Sequence, residues 1–349
     1  MKTKRYSSLR PQGDIPNNSS GAPFVPRILI VKTSSFGDVV HNCPCVTDIA
    51  RCVPGALIDW VVEESYVELA ALHRAVRRVI PVAVRRWRGG LLSSGNWAEF
   101  GRFRDALRRE RYDVVIDSQG LVKSALVAML ARGPKHGFDG GSAREPFAAR
   151  FYTTRHAVPA GLHAVERNRR LAADALGYSL EDASDYGLRV AADLPDEARA
   201  PASSPYALLI TMTSRAEKLW PEAHWCSVGK ALEARGVRCL LPWGTEEERH
   251  RCERIAALLR DALVPRRMTL PELASLASKA KCVLGVDTGL AHLAAALDVP
   301  VVGLYCGSDP ALTGLYAGTV RGGKRVRNLG NAGTPPTVAQ VLDALDTML

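Results

Sequence analysis

Two short stretches of the chain carry residue types that could do chemistry. The first, TSSFGD (33–38), sets hydroxyls, a glycine and a carboxylate directly after the apolar run RILIVK (27–32). Gly37 permits a tight strand-to-helix turn, and a helix opening there presents free N–H groups to an anion. Asp38 then has two readings. It sits where an N-cap would, on a helix beginning near it, and Asp is common there. Alternatively, as a carboxylate at the C-terminal end of a strand, it faces the ligand edge of the sheet. The second stretch is VDTGLAH (286–292). Asp287, Thr288 and Gly289 form a turn, and the amides of Gly289 and Leu290 would open a helix toward a diphosphate. His292 lies on the first turn of that helix, as a ligand contact or as a core histidine. TMTSRAEKLWPEAHW (211–225) adds hydroxyls and Lys218, which could reach phosphate oxygens. PWGTEEE (242–248) presents acids at a Gly turn. One of these suits a ribose diol, though each is otherwise an early-helix acid favoured by the dipole.

The elements around these stretches alternate. RILIVK, ALIDWVVEE (56–64), VRRVIPVAV (76–84) and YDVVIDSQG (112–120) read as strands, and FGRFRDALRRERY has helical spacing with Phe103 and Leu107 on one face. After the polar stretch DLPDEARAPASSP (193–205) the pattern restarts with YALLIT, VRCLLPWG, KCVLGVD and VPVVGLY. TLPELASLASKA, with Pro271 near its first turn, and the closing TVAQVLDALDTML read as helices. The expected organisation is α/β. A polar tail (1–26) precedes an N-terminal Rossmann-like domain (27–190), a linker (191–205) and a second such domain (206–330). A C-terminal helix (331–349) is expected to pack back on the N-terminal domain. Ligands of open α/β sheets bind at the C-terminal ends of the strands, so the cleft between the two sheets is the expected site.

With 349 residues, 47% hydrophobic and 23% charged, the chain has the composition of a two-domain globular protein. No apolar run is long enough to span a membrane, and the basic N-terminus lacks the apolar stretch of a secretory signal. The eight cysteines lack C-x-x-C spacing, which suits reduced thiols in a cytoplasm. The net charge of +10 is concentrated: eleven arginines between Arg74 and Arg111 face only Glu99, Asp105 and Glu110, an excess of +8. Such a cluster is either a solvated helix face or the seat of an anionic partner. Only 6% of residues are aromatic, which argues against nucleic acid. G-x-G-x-x-G, Walker, H-E-x-x-H and nucleophile-elbow patterns are missing, so hydride transfer and P-loop chemistry are not expected.

IVKTSSFGDVVH, DWVVEE, IPVAVRRWR, IDSQGLVKSA, KHGFDGGSAREPFA, HAVERNRRL, K-x-WPEAHW, LPWG and VDTGLAHLAAALD, in that order, resemble the lipopolysaccharide heptosyltransferase I group of glycosyltransferase family 9. The likeness runs from about Arg27 to Asp309. It implies a GT-B fold and inverting transfer of L-glycero-D-manno-heptose from its ADP donor to a Kdo sugar of Kdo2-lipid A. A relative adding the second heptose is the near alternative. A basic nucleic-acid-binding protein without transferase activity is the distant one. The resemblance makes Asp38 the general base. On the donor side it places Ser35, Gly37, Thr213, Ser214, Lys218, Glu248 (ribose), Met268 (adenine), Asp287, Thr288, Gly289, Leu290 and His292. Acceptor carboxylates and phosphates would meet Arg85, Arg86, Arg88, Lys123, Arg144, His163 and Arg167. Thr211 stands where relatives often carry His. The implied chemistry needs no cofactor or metal, and its setting is the cytoplasmic face of the inner membrane, with the protein peripheral on that anionic surface.

Overall fold

The computed structural model describes residues 25–89, 94–190, 204–213, 215–318 and 325–348. Most of the expected tail and linker, and Ser214, lie outside the described residues.

Strands rich in β-branched residues and buried on both faces favour parallel pairing under covering helices. That pattern is realised twice. β1 (Arg27–Val31), β2 (Leu57–Glu63), β3 (Val76–Val82), β4 (Val114–Asp117), β5 (Lys135–Phe138) and β6 (Thr154–His156) pair in the order β3-β2-β1-β4-β5-β6. β7 (Tyr206–Ile210), β8 (Arg238–Leu240), β9 (Ala262–Leu263), β10 (Cys282–Val286), β11 (Val301–Tyr305) and β12 (Val326–Gly330) pair as β12-β11-β10-β7-β8-β9. All pairings within both sheets are parallel. In each sheet the chain starts at the centre and winds outward in two directions. Strand order therefore reverses between β1 and β4, and between β7 and β10, which is where such sheets open a crevice.

Alternate residues of the central strands feed different cores. Ile28, Ile30, Ile58, Trp60 and Val62 face one side of the first sheet, while Leu29, Val31, Val61, Ile80 and Val82 face the other. Much of the arginine cluster serves this sheet. Asp59 is fully buried in β2 and accepts from Arg77 at 2.9 and 2.8 Å, from Arg78 at 3.1 and 2.8 Å, and from the Tyr112 hydroxyl at 2.8 Å. A buried carboxylate needs such partners. Arg77 and Arg78 are thus structural, and the cluster is only partly available to a ligand.

The halves touch through helices. The Phe36–Val40 helix packs on the Gly289–Ala296 helix, and Ala274 and Leu293 join the core of the first sheet. Glycine sets this approach: a Cβ at 289 would lie 2.3 Å from the Phe36 ring, and one at 37 would lie 3.1 Å from His292. The C-terminal helix (Val338–Asp346) departs from expectation. Its Val341, Ala344 and Leu345 join Trp220, Trp225 and Val302 in the core of the second sheet, because its apolar stripe matches that side rather than the N-terminal domain.

Candidate active site

The first half of the site grows from the ends of β1 and β4. Gln119 Oε1, just past β4, accepts the amides of Thr33 (3.1 Å) and Ser34 (3.2 Å), which clamps the loop after β1. Ser35 then caps the Phe36–Val40 helix, and Asp38 is its third residue, with Oδ2 accepting the Ser35 amide at 2.9 Å. This corrects the expectation that the helix begins near Asp38 with the aspartate as its cap. The preceding serine caps one turn earlier, and Asp38 closes a capping box from inside. Its carboxylate also takes both ends of the Arg144 guanidinium, at 2.7 Å (Oδ1) and 3.3 Å (Oδ2). Burial pushes this carboxyl up, but Lys32 and Arg144 outweigh it and hold the group well below the usual carboxylate range. Lys32 is itself buried, with Nζ donating to the Ser118 carbonyl at 2.9 Å. Burial pushes its ammonium down to about 8 against the pull of Asp38.

The second half grows from the ends of β7, β10 and β11. Thr288 is the N-cap of the Gly289–Ala296 helix without a side-chain bond to it, as the turn-then-helix reading expected. Asp287 accepts from Lys218 Nζ (2.5 Å) and Ser308 Oγ (2.6 Å) on Oδ2, and faces His292 Nε2 (3.4 Å) on Oδ1. Burial raises this carboxyl, yet those three partners together bring it well below its ordinary range. Thr213 Oγ1 donates to the Asp287 carbonyl at 3.2 Å.

Histidines join the halves. His292 Nε2 faces the Asp287 carboxylate, and its Nδ1 lies 3.1 Å from His41 Nε2, so one hydrogen bond links the two rings. His163 stands 5.2 Å from His41, ring centre to ring centre. Both its nitrogens are engaged: Nδ1 accepts the Val165 amide at 3.2 Å, and Nε2 donates to the Gly314 carbonyl at 3.1 Å. His163, which the resemblance assigns to the acceptor, caps the Ala164–Leu176 helix and ties it to the second half.

The other expected residues divide. Lys123 reaches Ser34 Oγ at 3.3 Å, beside Asp38's helix. Arg167 donates to the Ser142 carbonyl and lies over the Phe138 ring at 4.8 Å. Arg85 sits over Tyr66, Arg88 is exposed, and Arg86 is held by Glu64 (3.1 Å) and Glu99 (2.8 Å). Those three share the Val84–Arg88 helix past the end of β3, to one side of Asp38. Glu248 accepts the Gly244 and Thr245 amides on Oε2, closing a capping box, and Met268 is half-buried past β9. Thr211 is buried with its hydroxyl 3.6 Å from Cys252 Sγ, pointed into the core and out of the site. Among the described residues no cluster of His, Cys, Asp or Glu is arranged to hold a metal.

Residues 100–328 match the model of glycosyltransferase family 9 (heptosyltransferase). The lipopolysaccharide heptosyltransferase 1 of Pseudomonas aeruginosa is 47% identical over 292 residues, 83% of this chain and 81% of that protein. The chain belongs to glycosyltransferase family 9. Its fold is that of a solved family 9 member, the E. coli heptosyltransferase WaaC with ADP. That structure superposes with a TM-score of 0.82 at 42% identity, covering 93% of this chain and all (100%) of the other. The same enzyme with ADP-2-deoxy-2-fluoro heptose gives 0.78 at 40% identity, over 92% and 99% of the two chains.

The family 9 fold brings in groups that sequence reading passed over as site residues: Lys32, Gln119 and Ser308. Each lies within three residues of the C-terminal end of a central strand, β1, β4 or β11. That placement was the signal available for them.

Proposed function

We propose that this family 9 member is an inverting heptosyltransferase that moves L-glycero-D-manno-heptose from ADP-heptose to a Kdo residue of Kdo2-lipid A. The observation that carries this reading is the meeting of a strand-end carboxylate, Asp38, with a strand-end lysine–aspartate pair, Lys218–Asp287, across two helices in contact. The acceptor hydroxyl oxygen attacks the anomeric carbon while its proton passes to Asp38. The bond from that carbon to the β-phosphate oxygen breaks on the opposite face, which inverts the centre, and ADP leaves with the electron pair. A positioned carboxylate contributes about 10²–10⁴-fold to such a step. Lys218, Thr288 and the amides of Gly289 and Leu290 meet the charge developing on the diphosphate, with Thr213 beside them. Asp287 and His292 orient Lys218, and Ser35 and Gly37 shape the floor between the substrates. Glu248, whose Oε1 is not in the capping box, takes the ribose, and Met268 lies against adenine.

The acceptor is anionic, and guanidinium forks match its carboxylates and phosphates. Arg85, Arg86, Arg88, Lys123, Arg144 and Arg167 serve this end. No helix among the described residues is long and apolar enough to cross a membrane. The chain's excess of positive charge favours peripheral contact with the anionic cytoplasmic face of the inner membrane, where the acceptor lies. Incubating the purified chain with ADP-heptose and Kdo2-lipid A should release ADP and add one heptose to the acceptor. Transfer only to an acceptor that already carries a heptose would replace this reading with the second-heptose reaction.

A further inference from the structure

Both carboxylate oxygens of Asp38 are engaged. Oδ1 accepts from Arg144 Nη2 at 2.7 Å, and Oδ2 accepts from the Ser35 amide at 2.9 Å and from Arg144 Nη1 at 3.3 Å. A carboxylate gripped by a guanidinium fork is a weak base, since its capacity to take a proton falls with the stability of its charged form. The grip is built, because the loop that carries Arg144 is pinned on both flanks. Asp139 Oδ1 accepts the Ser142 amide at 2.8 Å, and the Glu145 amide donates to the Gly120 carbonyl at 3.0 Å. Arg144 itself remains 40% exposed while Asp38 is 12% exposed. The guanidinium can therefore change partner with little further desolvation, whereas the carboxylate stays in place.

We propose that Arg144 determines specificity for the acceptor over water by masking Asp38 until an acceptor carboxylate takes its fork. This rests on the heptosyltransferase reading above. A carboxylate of the incoming sugar offers Arg144 the same bidentate partnership that Asp38 gives it. Asp38 is then freed as a base beside the hydroxyl that arrived with that carboxylate. Water brings no anion and leaves the ion pair closed. In the side reaction that is suppressed, the water oxygen would attack the anomeric carbon of the ADP-sugar and ADP would leave with the bonding pair. The water proton would go to Asp38, and while the mask is on it has no ready acceptor.

The test measures ADP release from ADP-heptose by the full chain without acceptor. Arg144→Ala should raise this release about tenfold or more over wild type, and Arg144→Lys, which keeps the charge but not the fork, should raise it less. The double variant Arg144→Ala/Asp38→Asn should return to the wild-type level. Thermal melts confirm that each variant folds, and Arg144→Lys still carries the comparison if Arg144→Ala does not. A role confined to holding the acceptor predicts a higher acceptor KM with no change in acceptor-free release. Unchanged release, or a gain that survives Asp38→Asn, overturns the proposal. Wild-type transfer to Kdo2-lipid A, assayed in parallel, reports separately on the heptosyltransferase reading.

Discussion

His41 Nε2 lies 3.1 Å from His292 Nδ1, so one hydrogen bond joins the helix that carries Asp38 to the helix that follows Asp287. The link continues from His292 to Asp287 and on to Lys218, at 3.4 and 2.5 Å. A contiguous chain of polar contacts thus runs from the end of the Asp38 helix to Lys218.

Replacing His41 tests that link. His41→Gln sets an amide N–H near the position of Nε2 and should retain most activity. His41→Phe fills the space without donating and should lower kcat and raise the ADP-heptose KM, by about tenfold for the loss of one buried hydrogen bond at a site that must be aligned. Equal behaviour of the two variants would reduce His41 to a packing residue.

Asp38→Asn keeps an oxygen for the Ser35 amide and so spares the helix start. It removes the basicity. The variant should melt near wild type, bind ADP-heptose, and lose about 10²-fold or more in kcat. Turnover near wild type at saturating acceptor would take the base role from Asp38.

The arginines between Arg74 and Arg111 should divide by partner. Replacing Arg85, Arg86 and Arg88 together should raise the acceptor KM about tenfold while ADP affinity, read by calorimetry, stays level. Replacing Arg77 and Arg78 should instead destabilise the fold by about 3 kcal/mol or more, because the fully buried Asp59 loses its cations. A thermal melt and a binding isotherm separate the two groups.

Acid should loosen the histidine junction. Burial, followed by the neighbouring histidines, pushes His41 well below 6.5, and burial pushes His163 down to about 4. The unfolded chain therefore binds more protons below 6.5 than the folded one. Stability tied to these rings is complete above about pH 6.5 and is lost as pH falls toward 4. Melting temperature should drop across that window, and the His41→Gln variant should drop less steeply. Parallel curves would show that this ring does not contribute.

Much of this was legible in the sequence where strands are long and apolar. β1, β2, β3, β4, β7, β8, β10 and β11 stand where apolar runs lie, and the segments after them hold Asp38, Lys218 and Asp287. The strands left unread, KHGF, TRH, AL and VRNLG, are short or polar and lie at or near sheet edges, where pairing rather than composition makes the strand. Charge counting could not say that Arg77 and Arg78 would turn onto Asp59, because that choice depends on the register of β2 against β3. Nor could spacing pair His163 with the Gly314 carbonyl, which is 151 residues away.

Position 289 carries no side chain, and a methyl group there would run into the Phe36 ring at 2.3 Å. The span over which the sugar is handed from one half to the other is thus gauged in part at this backbone position, by matter left out. Any larger residue would act as a shim, widening the gap by roughly its own thickness while each half kept its own fold. Reacting atoms must come within about 3–3.5 Å, so a spacer of that size is enough to leave both substrates seated and the transfer stalled.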